Sequence, residues 1–142
     1  MANRHYYTDP IEGDNNTGAL EDPLMMYANL QAGFDDTANG DDVIAYMHDG
    51  DYLETYSQSY CYLSKAVNTL TVLPVSSGKN VTIQSNSTGR VIHLASIVGL
   101  VKFGAIVIDA QNAGDGMTGS AHSVEFEGTK FMRCAEYMFG NA

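Results

Sequence analysis

From Asp41 onward the chain divides its apolar residues into short β-branched runs, and that spacing constrains the fold more than any other feature. Val43-Ile44-Ala45-Tyr46 is the first. It is followed by Leu70-Thr71-Val72-Leu73, Val81-Thr82-Ile83, Val91-Ile92-His93-Leu94 and Val101-Lys102-Phe103. Ile106-Val107-Ile108, Val124-Glu125-Phe126 and Lys130-Phe131-Met132 complete the series. Runs of three to five residues closed by Gly, Asn, Asp or Ser read as strands. They are too short and too evenly scattered for a sandwich of ordinary strands. The runs also repeat. At an offset of 23 residues Val101 falls on Val124, Phe103 on Phe126 and Ile108 on Phe131, and the same step backwards puts Ile106 on Ile83. A period in the low twenties with several short strands is the pattern of a solenoid, in which each turn buries its inner face against the next.

The first forty residues read differently. Tyr6-Tyr7-Thr8 is a short strand ended by Asp9-Pro10, and Gly13-Asp14-Asn15-Asn16-Thr17-Gly18 is a loop rich in residues that bond their own backbone. Asp22-Pro23 has the chemistry of a helix opening, an acceptor side chain followed by proline. Met26, Tyr27, Leu30 and Phe34 then recur at helical spacing, and Asn39-Gly40 supplies a stop. These signals predict one amphipathic helix of about three turns between residues 22 and 38. The stretch from Tyr56 to Lys65 is rich in Tyr and Ser and gives no clear period.

Length favours one domain, divided into residues 1–40 (strand, loop and capping helix) and 41–142 (stacked strands). With 17 acidic against 7 basic residues the formal charge is −10, so a polyanion would be repelled and nucleic acid is not an expected partner. The ordinary consequence of such charge is solubility, and the sharper one is a face for cations or a basic partner. No apolar segment has the length of a membrane span. The start carries no basic region followed by an apolar stretch, which predicts that the chain is not exported by a classical signal. Cys61 and Cys134 lie far apart, outside any metal-binding spacing, and two buried free thiols are expected rather than a disulfide. His5, His48, His93 and His122 are scattered, so no zinc site is expected.

The opening resembles that of pectate-lyase-like right-handed parallel β-helix proteins. The residues that carry the resemblance are Tyr7-Thr8-Asp9-Pro10, Gly13-Asp14-Asn15 and Asn29-Leu30-Gln31-Ala32. It continues through Gly40-Asp41-Asp42-Val43-Ile44, Asp49-Gly50-Asp51-Tyr52 and Gly78-Lys79-Asn80-Val81-Thr82-Ile83, and covers roughly residues 6 to 131. The resemblance implies an all-β fold: a short right-handed parallel β-helix with one N-terminal capping α-helix. It says little about activity, because such openings precede lyases, hydrolases, epimerases and inert spikes alike. A departure from the family is length. Only three or four coils fit before Ala142, which implies either a piece of a longer protein or an end covered by a neighbouring subunit.

A lyase of this fold would need carboxylates to hold Ca²⁺ and a basic residue as base. Asp109, Asp115, Glu125 and Glu127 are the candidate acids, with Lys102 or Arg133 as the basic member. The 23-residue offset places Lys102 beside Glu125, which reads more simply as an exposed cross-coil ion pair. The oxygen-rich loop from Asp9 to Asn16 lacks a full calcium-loop pattern and reads as turn chemistry. Tyr46, Tyr52, Tyr56, Tyr60 and Tyr62 suit stacking along a solenoid, or contact with sugar or protein.

The functional expectation is a non-catalytic structural protein of a virus particle, a bacteriophage decoration, tail or fibre component, located in the virion. The alternative is the N-terminal fragment of a β-helix polysaccharide lyase or glycoside hydrolase. No cofactor and no metal are expected. The expected partners are further copies of the chain, with three-fold symmetry favoured, and other virion proteins, with carbohydrate as a further candidate. Phe131, Met132, Tyr137, Met138 and Phe139 concentrate apolar mass near the last strands and are the candidate assembly contacts.

Overall fold

The structure, a computed structural model, describes residues 2–54, 61–76, 80–85, 90–111, 114–134 and 139–140. Along the chain the elements are β1 (Asn3–Thr8), α1 (Leu30–Asp35), β2 (Asp42–Met47), β3 (Gly50–Glu54), β4 (Cys61–Leu63) and β5 (Thr69–Pro74). They continue as β6 (Val81–Ser85), β7 (Arg90–Phe103), β8 (Val107–Asp109), β9 (Asp115–Phe126), β10 (Lys130–Met132) and β11 (Phe139–Gly140). Every pairing between these strands is parallel. One sheet, sheet A, runs β1-β2-β5-β7-β9-β11, with β4 also on β7; the other, sheet B, runs β10-β8-β6-β3.

The 23-residue offset is the register of β7 on β9, where Val101 faces Val124 and Phe103 faces Phe126. It is also the register of β8 on β10, where Ile108 faces Phe131. One step further back the expected pairing slips by two residues, because Ile83 lies against Ile108 rather than Ile106.

The open right-handed β-helix is not what forms. Sheet A curls through 233° until its edges stand 14 Å apart, so it encloses a half-barrel, unlike the open solenoid of the pectate-lyase-like proteins. Strand length is the physical reason. The runs Val91–Leu94 and Val101–Phe103, read from sequence as separate strands, belong to the single strand β7 of 14 residues. A bulge between Leu94 and Val98 carries β7 round the corner, so that its first half lies on β4 and its second half on β5. The 12 residues of β9 follow the same bend. Hydrogen bonding that continues through a corner curls a sheet, where a turn would have divided it.

The helix is also shorter than expected. It occupies six residues and starts at Leu30, with the Asn29 side chain accepting from the Ala32 N–H at the N-cap. Asp22-Pro23 opens no helix; the Asp22 carboxylate accepts from the Leu24 N–H and makes a local turn. Residues 21–27 instead run along the outer edge of β1. The Glu21 N–H bonds the His5 carbonyl, the Tyr27 N–H bonds the Tyr7 carbonyl, and Tyr27 forms a parallel bridge with Thr8. Of the four helical-period residues, Met26 and Tyr27 therefore lie outside the helix, with Tyr27 at the edge of β1, while Leu30 and Phe34 belong to α1 and enter the core.

Alternate residues of each strand fill the interior. Tyr6, Ala45, Val72 and Phe103 form one inward ladder, and Val43, Leu70 and Val101 form another. Tyr52, Ile83 and Ile108 line sheet B. Full burial of an apolar side chain of this size contributes about 1.5–3 kcal/mol. Several buried polar groups are satisfied within this core. The Tyr6 hydroxyl donates to the Leu30 carbonyl, and the Gln31 carboxamide bonds both the carbonyl and the N–H of Tyr62. Lys65 Nζ donates to the carbonyls of Asp35 and Thr37, at the end of α1 where a cation is favoured.

Gly119 sits at the bend of β9 with φ +117°, and a Cβ there would stand 2.3 Å from the Leu94 carbonyl oxygen. Gly119→Ala is therefore expected to lower the unfolding free energy by about 1–3 kcal/mol through backbone strain alone. Urea denaturation monitored by circular dichroism measures the change. Wild-type stability in the variant would show that the bend tolerates a side chain.

Candidate functional site

The outward positions of the first three strands of sheet A form a groove of about 350 Å³ of mixed polar and apolar surface. Parallel register arranges it in rungs. Asn3, Asp42 and Thr69 face one another across β1, β2 and β5, and His5, Ile44 and Thr71 do so one rung along. A third rung continues with Tyr7, Tyr46 and Leu73, where the two tyrosine rings stack at 4.9 Å with 20° between their planes. Asp42 is oriented before any ligand arrives: its Oδ1 accepts from Asn68 Nδ2 at 2.8 Å and from Thr69 Oγ1 at 3.0 Å. Arg4 closes the end of the groove, with its guanidinium on Glu21 and near Asp41.

A second cluster joins the far ends of β8 and β10. Asp109, nearly fully buried, receives both Nε and Nη2 of Arg133, the first at 3.0 Å. Gln111 N–H adds a bond at 2.9 Å. The Arg133 guanidinium holds the Asp109 carboxyl below the usual carboxylate range, and the Gln111 N–H adds to this against the opposing effect of burial. Both turns carry a non-glycine residue in the left-handed region, Gln111 at φ +56° and Arg133 at φ +50°. Burial pushes the neighbouring Cys134 thiol up. Cys61 is buried and Cys134 half-buried, both as free thiols.

The acids nominated for lyase chemistry do not converge around a basic residue. Asp109 and Arg133 do come together, but as a buried carboxylate in a two-pronged ion pair with its guanidinium. Asp115 lies in register with Arg90 at the opposite end of β9 from Glu125. Lys102 and Glu125 are register partners, yet the Lys102 ammonium goes to Glu127, at 3.1 Å. The loop from Asp9 to Asn16 makes turns: Asp9 Oδ1 accepts from the N–H groups of Ile11 and Glu12, and Asp14 Oδ1 from that of Asn16.

Among the assembly candidates, Phe131 and Met132 lie half-buried in β10, and the backbone of Phe139 pairs with Met117. Tyr137 and Met138, like Tyr56 and Tyr60, lie outside the described residues. Phe131 packs edge-on against Phe126 at 5.1 Å, and Phe126 in turn lies 6.2 Å from Phe103. Phe103 is fully buried and Phe126, its partner on the next strand, is 38% exposed.

The groove was not found from sequence, although a signal for it exists. Asn3-x-His5-x-Tyr7, Asp42-x-Ile44-x-Tyr46 and Thr69-x-Thr71-x-Leu73 are three period-two sets, and register alone places them side by side. No family pattern, no curated protein and no solved structure matched the chain when it was compared with each.

Because the folded state holds the Asp109 pKa below its unfolded value, its contribution is present above the unfolded pKa, about 3.9. It is lost as pH falls through the folded value. Asp109→Asn should cost about 1.5–3 kcal/mol at neutral pH, the range for hydrogen bonds to charged groups, and progressively less in acid. Denaturant midpoints of wild type and variant measured across that range test this. A stability difference that stays constant as pH falls would contradict it.

Proposed function

We propose that this chain is a non-catalytic structural protein of a large particle such as a virion, and that it attaches through the far end of its stacked sheets. The contrast between the β1 edge of sheet A and the region of β9 and β10 carries this reading. At the near end the outer edge of β1 is occupied by residues 21–27, whose backbone and Glu21 carboxylate satisfy its exposed groups. At the far end the inward ladders of sheet A continue onto β9 and that of sheet B onto β10, but these residues are only partly covered: Val124 and Phe131 are half-buried and Phe126 is exposed. Apolar cross-section left on a strand edge is costly in water and favours pairing with another chain.

The fixed ion pair of Asp109 with Arg133 fits a structural role for one of the acids that a lyase reading would use. It fastens the turn after β8 to the turn after β10, close to the proposed contact.

Sedimentation of the chain, alone and with its particle, tests the reading. The expected result is self-association or co-sedimentation, weakened about tenfold or more by Phe131→Asp, which corresponds to about 1.4 kcal/mol. Phe126→Asp, at a more exposed position, should do the same with a smaller loss of thermal stability than Phe131→Asp. A stable monomer that binds no particle, with Phe126→Asp changing nothing, would overturn the proposal.

A further inference from the structure

The groove on sheet A lies on the outward face of the sheet, whereas the proposed contact uses inward residues of β9 and β10. Its chemistry is a separate matter from assembly. Four side chains on its wall have hydrogen-bonding capacity to spare among the described residues. Asp42 uses Oδ1 for Asn68 and Thr69 and keeps Oδ2 as an acceptor. The Asn3 carboxamide, the His5 ring nitrogens and the Thr71 hydroxyl bond no other described residue, and together they offer both donors and acceptors. Ile44 gives the groove an apolar patch between His5 and Thr71. The stacked Tyr7 and Tyr46 extend the same face by one rung.

Charge narrows the class of ligand. The guanidinium at the end of the groove is already paired with Glu21, and the chain as a whole is at −10, so a phosphate or carboxylate would compete with Glu21 and meet a repulsive field. The single carboxylate is one acceptor among several neutral groups, each able to bond a hydroxyl. A volume of about 350 Å³ lies at the small end of the usual range for ligand sites. Mixed donors and acceptors around an apolar patch, next to aromatic rings, match a molecule that carries hydroxyls on its rim and C–H groups on its faces.

We infer that this groove binds a neutral saccharide of one or two rings. Asp42 and Asn3 take hydroxyl groups on one rung, His5 and Thr71 take hydroxyl groups on the next, and Ile44 lies under the ring. Asn68 and Thr69 act as positioning residues, since they hold the Asp42 carboxylate in place.

The test is a titration of the full chain with glucose, N-acetylglucosamine, lactose and cellobiose, followed residue by residue by NMR. The expected result is saturable shifts at residues 3–5, 42–44 and 69–71 for at least one of these sugars, with a dissociation constant on the order of 1 mM. Asp42→Asn and Thr71→Ala should each weaken binding about tenfold while leaving the thermal unfolding midpoint within a few degrees. His5→Ala, on an edge strand, provides a third variant should either of these fail to fold. Raising salt from about 50 to 500 mM should change the affinity little, because no ion pair is formed. Absence of shifts with all four sugars, or shifts confined to other faces, would overturn the inference. So would salt-dependent shifts at these same residues with spermidine and none with the sugars. The readout does not depend on self-association, so sugar binding and assembly stand or fall separately.

Discussion

Parallel register is the constraint on which the rest of the structure depends. Each strand places its alternate residues directly against those of its neighbour, so a side chain in the core is defined less by its own strand than by the ladder it joins. Tyr6 against Ala45, Val72 and Phe103 shows the consequence: a large ring is accommodated because its neighbour is small. Slipping any strand by one residue would turn that ladder outward and bring His5, Ile44 and Thr71 into the core. The same rule therefore builds both the packed interior and the groove on the opposite face.

The ends of the ladder are treated unequally. At the near end Arg4 occupies the ladder of Val43 and Leu70, and its charge is answered by Glu21 and Asp41. Residues 21–27 then complete the edge. Where an open β-helix would carry a long helix over this end, the chain uses a strand-like segment and a helix of six residues. The Gln31 and Lys65 bonds tie that helix to β4 and to the segment that follows it. At the far end Phe103 is fully buried, Phe131 half-buried and Phe126 exposed. In the proposed assembly these partly covered rings would be the surface that a partner buries.

The short strands were legible because β-branched runs and turn residues are local signals. The 23-residue register was legible because two ladders happen to repeat Val and Phe at the same step. The curl of sheet A was not. It arises from a bulge at Leu94 to Val98 and a glycine at position 119, and in the sequence the intervening Ala95-Ser96 and the Gly119-Ser120 pair look like the turns that separate strands. The long helix failed for a related reason. Met26, Tyr27, Leu30 and Phe34 do have helical spacing, but Tyr27 is drawn to the edge of β1, where it bridges Thr8 and its hydroxyl donates to Asp36. Tertiary pairing overrode local period. The groove escaped because its residues come from three strands far apart in sequence and become neighbours only through register.

Native-state hydrogen exchange on the isolated chain tests the central claim, that among the described residues the β1 edge of the curled sheet is covered while the region of β9 and β10 is only partly covered. Amides in β2 and β5, with ladders on both sides, should exchange only near the global unfolding free energy, while those of β10 and of residues 120–126 should open at much lower cost. β1 should resemble β2 more than it resembles β10, because residues 21–27 cover its edge. Equal protection at the two ends, or a β1 that exchanges as readily as β10, would contradict the account.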